Sequence, residues 1–175
     1  MPDSSVLKVR PATQRDVKTI SELHVNSFTS AYQGILPEDY LRSQTADKKL
    51  SFWRDAVEYG EPQLLVALDG DKMVGFVGFD RSRDPKTPPT TGEIWAIYVV
   101  PSYWGQGAGL ALWDAANEGL KEEGCTKVSI WLPLQNERAL RFHELAGFKR
   151  EMPSARTVPV GAVRIEEIRL SRLLA

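Results

Sequence analysis

The chain has 175 residues, 42% of them hydrophobic, and 22 Lys+Arg against 23 Asp+Glu, a formal charge of −1. That balance gives no reason to expect a nucleic acid or an acidic membrane as partner, and the length suits one domain, residues 1–175, with a core that needs no metal or disulfide staple. A single cysteine, Cys125, excludes an internal disulfide, the opening Met-Pro-Asp-Ser-Ser lacks the basic and apolar stretch of a signal peptide, and no apolar run approaches membrane-spanning length, so a reducing, cytoplasmic setting is expected.

In chain order, Val6–Arg10 reads as a short strand. Thr13 caps a helix, with Asp16 three residues on and apolar positions 17, 20 and 23 as its inner stripe. Further helical segments follow at Glu38–Arg42 and Asp47–Glu58. Leu64–Asp69 and Met73–Asp80 are strands joined by Asp69-Gly70-Asp71-Lys72, a hairpin signal. Arg81–Thr91, with three prolines, is a loop. Then come strand Glu93–Val100, a glycine loop, helix Leu110–Glu122 and strand Thr126–Leu132. Helix Glu137–Ala146 opens after Asn136 and stops at Gly147, with Phe148 placed for the hydrophobic contact beyond the stop. Arg156 to Leu173 reads as one or two strands. An antiparallel meander running into a strand–helix–strand crossover predicts an α/β fold, a mixed sheet with helices on both faces. A ligand then sits at the C-terminal ends of the parallel strands.

The loop Tyr103-Trp104-Gly105-Gln106-Gly107-Ala108-Gly109 points to the ligand. Glycines at 105, 107 and 109 clear the approach to a helix N-terminus, whose free N–H groups favour phosphate. The dinucleotide fingerprint fails, because position 110 is Leu110 and strand Thr126–Leu132 lacks the ribose-binding acid. No Gly-Lys-Ser/Thr closes a nucleoside-triphosphate loop. A pyrophosphate ligand that needs neither signature fits. A plain tight turn is the other reading.

Glu93 to Pro101, Trp104 to Gly109, and Asn136 to Gly147-Phe148 together resemble the GNAT superfamily of N-acetyltransferases over about residues 64–150. The resemblance implies that family's fold: a mixed sheet of about six or seven strands, with the cofactor between two splayed parallel strands. It implies acetyl-CoA as co-substrate, no metal, and an amine acceptor that is a small molecule or a peptide. A homodimer is compatible with it. The pantetheine arm would pair with backbone around Ile97, Tyr98 and Val99, the Val99 N–H serving the thioester oxygen as charge develops. Amides of Gly105, Gln106, Gly107, Ala108, Gly109 and Leu110 would hold the pyrophosphate, and Asn136 the pantetheine arm as well as the helix cap.

Amine attack needs a neutral amine, and Glu93 is the candidate base. An exposed strand-edge glutamate is the alternative. His143 is the candidate acid for the departing thiolate, standing where the family most often has tyrosine; a half-buried helix-face histidine is the other reading. Trp104 departs from the family's arginine or glutamine, which removes a side-chain contribution that Gln106 would have to replace. Phe28, Tyr32, Trp53 and Trp95 are expected to wall the acceptor, with Asp80 or Asp84 attracting its ammonium group. Cys125 reads as a small core residue and His24 as a lone histidine without a metal. A direct-attack N-acetyltransferase is the expected function. A transferase of another acyl group and a non-catalytic acyl-CoA sensor are the alternatives.

Overall fold

The computed structural model describes residues 7–174; Val6, where the first strand was expected to open, and the segment before it lie outside them. β1 (Lys8–Pro11) leads through a 3-10 turn into α1 (Val17–Tyr32), followed by α2 (Glu38–Ser43) and α3 (Ala46–Tyr59). The start of α1 forms as its sequence suggests: the Thr13 N–H donates to Asp16 Oδ2 at 2.8 Å, and Arg10 grips the same carboxylate. Arg10 holds the Asp16 carboxyl below the usual range. The meander β2 (Gln63–Asp69), β3 (Lys72–Arg81) and β4 (Thr91–Val99) precedes α4 (Ala108–Glu122) and β5 (Lys127–Pro133). α5 (Glu137–Leu145), β6 (Lys149–Arg150), β7 (Arg156–Val160) and β8 (Val163–Leu173) complete the chain.

The sheet has eight strands in the order β1-β2-β3-β4-β5-β8-β6, with β7 on β8. The count exceeds six or seven because the tail folds back on itself at Gly161 and a two-residue strand, β6, also pairs with β8. Only β4 and β5 run parallel to one another; the other pairings are antiparallel.

Two apolar layers cover the sheet. On one face α4, α5 and Phe148 just beyond α5 bury Leu112, Ala116, Leu120, Leu140 and the Phe148 ring against Val77, Ile94, Val128 and Ile168. On the other, α1 and α3 bury Ile20, Leu23, Trp53 and Ala56 against Val66 and Phe76. β4 contributes to both through a bulge. Gly78 pairs with Ala96 but Phe79 with Ile94, so Trp95 is the extra residue. Ile94, Ile97 and Val99 therefore belong with the α4 layer, while Ala96 and Tyr98 face α1. No helix among the described residues is long and apolar enough to cross a membrane.

Trp53, expected at the acceptor wall, is instead 2% exposed within the α1–α3 layer. Its Nε1–H donates to His24 Nδ1 at 3.1 Å. The position of Trp53 on the buried stripe of α3 puts its indole on the sheet rather than in a cleft. His24 must stay neutral to accept that bond, and burial, with Lys49 nearby, pushes its pKa down to about 4. Since the folded pKa lies below the ordinary 6.5, the unfolded chain binds the extra proton. Stability is therefore full above pH 6.5 and declines as pH falls from 6.5 toward 4. His24→Phe is expected to flatten this decline, while leaving the Trp53 N–H unpaired at a cost of about 1–3 kcal/mol. Denaturant unfolding of both proteins across that pH range checks it; equal slopes would remove His24 from the account.

Candidate active site

β4 and β5 pair only over Thr91–Glu93 against Lys127–Ser129. Beyond that point they diverge, and a cleft of about 230 Å³ is lined by Trp95–Val99 on one side and Ile130–Leu132 on the other. One end reaches Gly105, Gly107, Gly109 and Leu110; the other reaches Ser27, Ala31 and Tyr32 of α1. The Val100 N–H donates to Val74 O at 2.9 Å, so the Val100 backbone faces β3. Backbone groups alternate sides along a strand, which turns those of Ile97 and Val99 toward the gap vacated by β5. Parting the strands thus creates unpaired backbone donors along a slot, suited to an extended amide-bearing ligand.

The glycine loop meets the slot at the start of α4. Gly105 and Gly107 have φ of 75° and 89°, the left-handed region, and nothing lies within 4 Å of where their Cβ atoms would stand. The first helical bond runs from the Ala111 N–H to Gly107 O, so the amides of residues 107–110 have no carbonyl one turn back. Open space in front of free amides at a 15-residue helix fits a phosphate group. Gly109 has a different reason to be glycine. It lies inside α4, and a Cβ there would meet the Phe142 ring at 3.2 Å. The third glycine serves the packing of α5 on α4.

Trp104 is not a simple loss. Its Nε1–H donates to Val99 O at 2.8 Å, locking the loop to β4. Its ring carries the Arg138 guanidinium 3.6 Å from the centroid. Arg138 comes from α5, lines the cleft, and is partly desolvated without a carboxylate partner among the described residues. A cation therefore stands beside the glycine loop, supplied by a different element from the one expected. Gln106, expected to compensate, instead donates from Nε2 to Ser102 O at 2.8 Å. Arg138 was missed because its role depends on α5 folding over Trp104; its place two residues after Asn136 was the only clue.

α5 brings two expected residues to the slot. Asn136 Oδ1 accepts the Ala139 N–H at 3.2 Å, which commits its acceptor to the cap and leaves its amide N–H groups to the cleft it lines. His143 also lines the cleft, 2% exposed between Phe142 and Phe148. Its Nδ1 lies 2.8 Å from Ala139 O, so Nδ1 carries the hydrogen and Nε2 is a lone-pair acceptor. Nε2 is buried without a partner among the described residues. Burial lowers the His143 pKa. The resting imidazole is thus neutral and receives a proton at Nε2 before it can give one.

Glu93 stands at the fork of the two strands but does not line the cleft. Its side chain is 2% exposed, and both carboxylate oxygens are held by Arg83: Nη2–H to Oε2 at 2.6 Å and the backbone N–H to Oε1 at 2.9 Å. A carboxylate so engaged is poorly placed as a direct base. The acceptor wall also differs from expectation. Tyr32 and Trp95 line the cleft, whereas Phe28 stacks behind Tyr32 with centroids 4.4 Å apart. Asp80 caps the Arg81 N–H, and Asp84 accepts from Trp131 Nε1 and pairs with Arg169 at 3.1 Å. Neither carboxylate lines the cleft. Cys125 is buried, as expected, which pushes its thiol pKa up, and no cluster of metal-ligating side chains occurs among the described residues.

Residues 21–148 match the acetyltransferase (GNAT) family. The chain is 29% identical over 166 residues to the uncharacterized N-acetyltransferase YuaI of Bacillus subtilis, covering 94% of this chain and 92% of that one. It is 35% identical over 119 residues to mycothiol acetyltransferase of Sanguibacter keddieii, spanning 67% of this chain and 35% of that protein. In fold it is similar to PaiA N-acetyltransferase from Thermoplasma acidophilum in complex with coenzyme A, with a TM-score of 0.78, 19% identity and coverage of 95% and 98%. It is likewise similar to YncA, a putative acetyltransferase from Salmonella typhimurium with its cofactor acetyl-CoA, with a TM-score of 0.73, 20% identity and coverage of 98% and 95%. With a splayed parallel strand pair, a glycine loop on a helix N-terminus and a match over most of its length, the chain belongs to the GNAT family of acetyltransferases.

Proposed function

We propose that the protein transfers an acetyl group from acetyl-CoA to an amine of a small molecule or peptide, by direct attack while both are bound. The observation that carries this reading is the continuous cleft, which opens on the glycine loop at one end and on α1 at the other. Donor and acceptor can then meet from opposite ends without exchanging places.

Acetyl-CoA supplies a thioester already activated for attack. The glycine-loop amides and Arg138 hold its phosphates, while Ile97, Val99 and the Asn136 amide hold the pantetheine arm. Tyr98, whose backbone faces β3, backs the slot through its ring in the α1 layer. The Val99 N–H donates to the oxygen that gains charge as nitrogen attacks, a preorganised donor that needs no rearrangement. As the N–C bond forms and the C–S bond breaks, one proton must leave nitrogen and one must reach sulfur. His143 Nε2, neutral and unpartnered, can accept the first and return it to the thiolate. Glu93 acts at one remove, by fixing Arg83 over the Trp95 ring at 4.0 Å. It is a positioning residue in this scheme.

The rival reading, a non-catalytic acyl-CoA sensor, shares the cofactor contacts but not the proton route. A broad amine screen with detection of released thiol separates them; no turnover of any amine with CoA binding intact would favour the sensor. His143→Ala is expected to lower kcat by about 10²-fold, within the range of one acid–base group, with CoA affinity unchanged. An unaltered kcat would take His143 out of the proton route.

The phosphate cradle has its own test. Leu110 is 49% exposed in the first turn of α4, so Leu110→Glu sets a carboxylate beside the phosphates without straining the glycines. Calorimetric CoA affinity is expected to fall at least about tenfold with an unchanged melting temperature, because an acid in a first turn suits the helix dipole. Arg138→Gln is expected to weaken CoA by a similar factor but not the use of an acetylated pantetheine lacking the phosphates. Equal loss with both donors would place Arg138 elsewhere.

A further inference from the structure

Three carboxylates around the acceptor end of the cleft are each paired with an arginine. Glu93 pairs with Arg83 at 2.6 Å, Asp84 with Arg169 at 3.1 Å, and Glu167 with Arg156 at 2.7 Å. The guanidinium groups also occupy tryptophan surfaces, Arg83 over Trp95 at 4.0 Å and Arg156 over Trp131 at 3.6 Å. Each of these rings thus already carries a cation on one face. What remains exposed to an acceptor is Ser27, Ala31, Tyr32, Trp95, Tyr98 and Trp131, without one ionised side chain. Burial raises the pKa of the Tyr32 phenol and pushes that of Tyr98 up to about 12, so both stay neutral. The single charged residue among the described lining, Arg138, sits on Trp104 near the glycine loop.

Resting on the N-acetyltransferase reading above, we infer that the acceptor is a compact monoamine with an apolar or aromatic body, and that polycations such as polyamines and aminoglycosides are excluded. No carboxylate among the described residues lines the slot an ammonium would enter. Glu167, which acts on Tyr32 from outside it, is held by Arg156, and desolvation favours the neutral form of the amine. For a monoamine that single deprotonation produces the nucleophile. A polycation would have to shed or bury every further charge without a counter-ion, at a desolvation penalty for each. The same neutrality accounts for a cleft without a carboxylate base, since the wall itself selects the deprotonated amine. The ring of arginine–carboxylate pairs then has a purpose beyond stability: it holds Trp95 and Trp131 as an apolar wall while removing every free charge from it.

The experiment compares kcat/KM for arylalkyl and branched-alkyl monoamines with spermidine and an aminoglycoside, using thiol release with acetyl-CoA. The monoamines are expected to exceed the polycations by at least about 100-fold. Ala31→Glu, which adds a carboxylate to the wall, is expected to narrow that ratio at least about tenfold. The rising limb of the pH profile is expected to move with the acceptor's own pKa when an arylalkylamine is replaced by its less basic fluorinated analogue. A preference for spermidine or the aminoglycoside overturns this inference and leaves N-acetylation standing, as does a limb that stays fixed for both monoamines. Turnover of no amine at all, with CoA binding intact, overturns both.

Discussion

The early divergence of β4 from β5 is the constraint on which the rest depends. Two parallel strands that paired along their full lengths would be an ordinary piece of sheet interior, with every backbone group satisfied. Here pairing stops after three residues on each strand. A bulge at Trp95 and the docking of α4 and α5 on one face keep the two strands apart without unravelling either. β4 is secured by β3 and β5 by β8, so each tolerates the loss of its partner. The unpaired groups that result would be a liability in a core. In a slot they are donors open to a ligand.

The electrostatics of the slot are divided by end. Near α4 the helix N-terminus and Arg138 create a region that welcomes negative charge. Near α1 the wall is aromatic and uncharged, with salt bridges standing behind it rather than in it. The anionic donor and the neutral nucleophile proposed above would each enter from the end that matches it. His143 lies on the α5 side of the slot, and its neutral form follows from burial between its Phe142 and Phe148 neighbours.

Much of this was legible in the chain. The hairpin at Asp69–Lys72, the cap at Asn136, the stop at Gly147 and the crossover from β4 through α4 to β5 all depend on short-range backbone preferences. Such preferences act within a few residues and can be read there. Less legible were the partners of charged and aromatic side chains. Glu93 read as a base in a cleft and proved to be locked by Arg83. Trp53 read as wall and proved to be core. Gly109 read as part of the phosphate approach and proved to be a packing site for Phe142. In each case the deciding neighbour is distant in sequence or lies on another element.

The sequence by itself determined the order of elements, the glycine turn into α4 and the family, because these rest on local conformational limits and contiguous motifs. Only the tertiary structure decided which charges remain free. Arg83, Arg156, Arg169 and Arg138 are indistinguishable as residues, yet the first three are paired with carboxylates and Arg138 is left beside the glycine loop. Coulomb and desolvation energies depend on separation in space and on burial, neither of which is written along the chain.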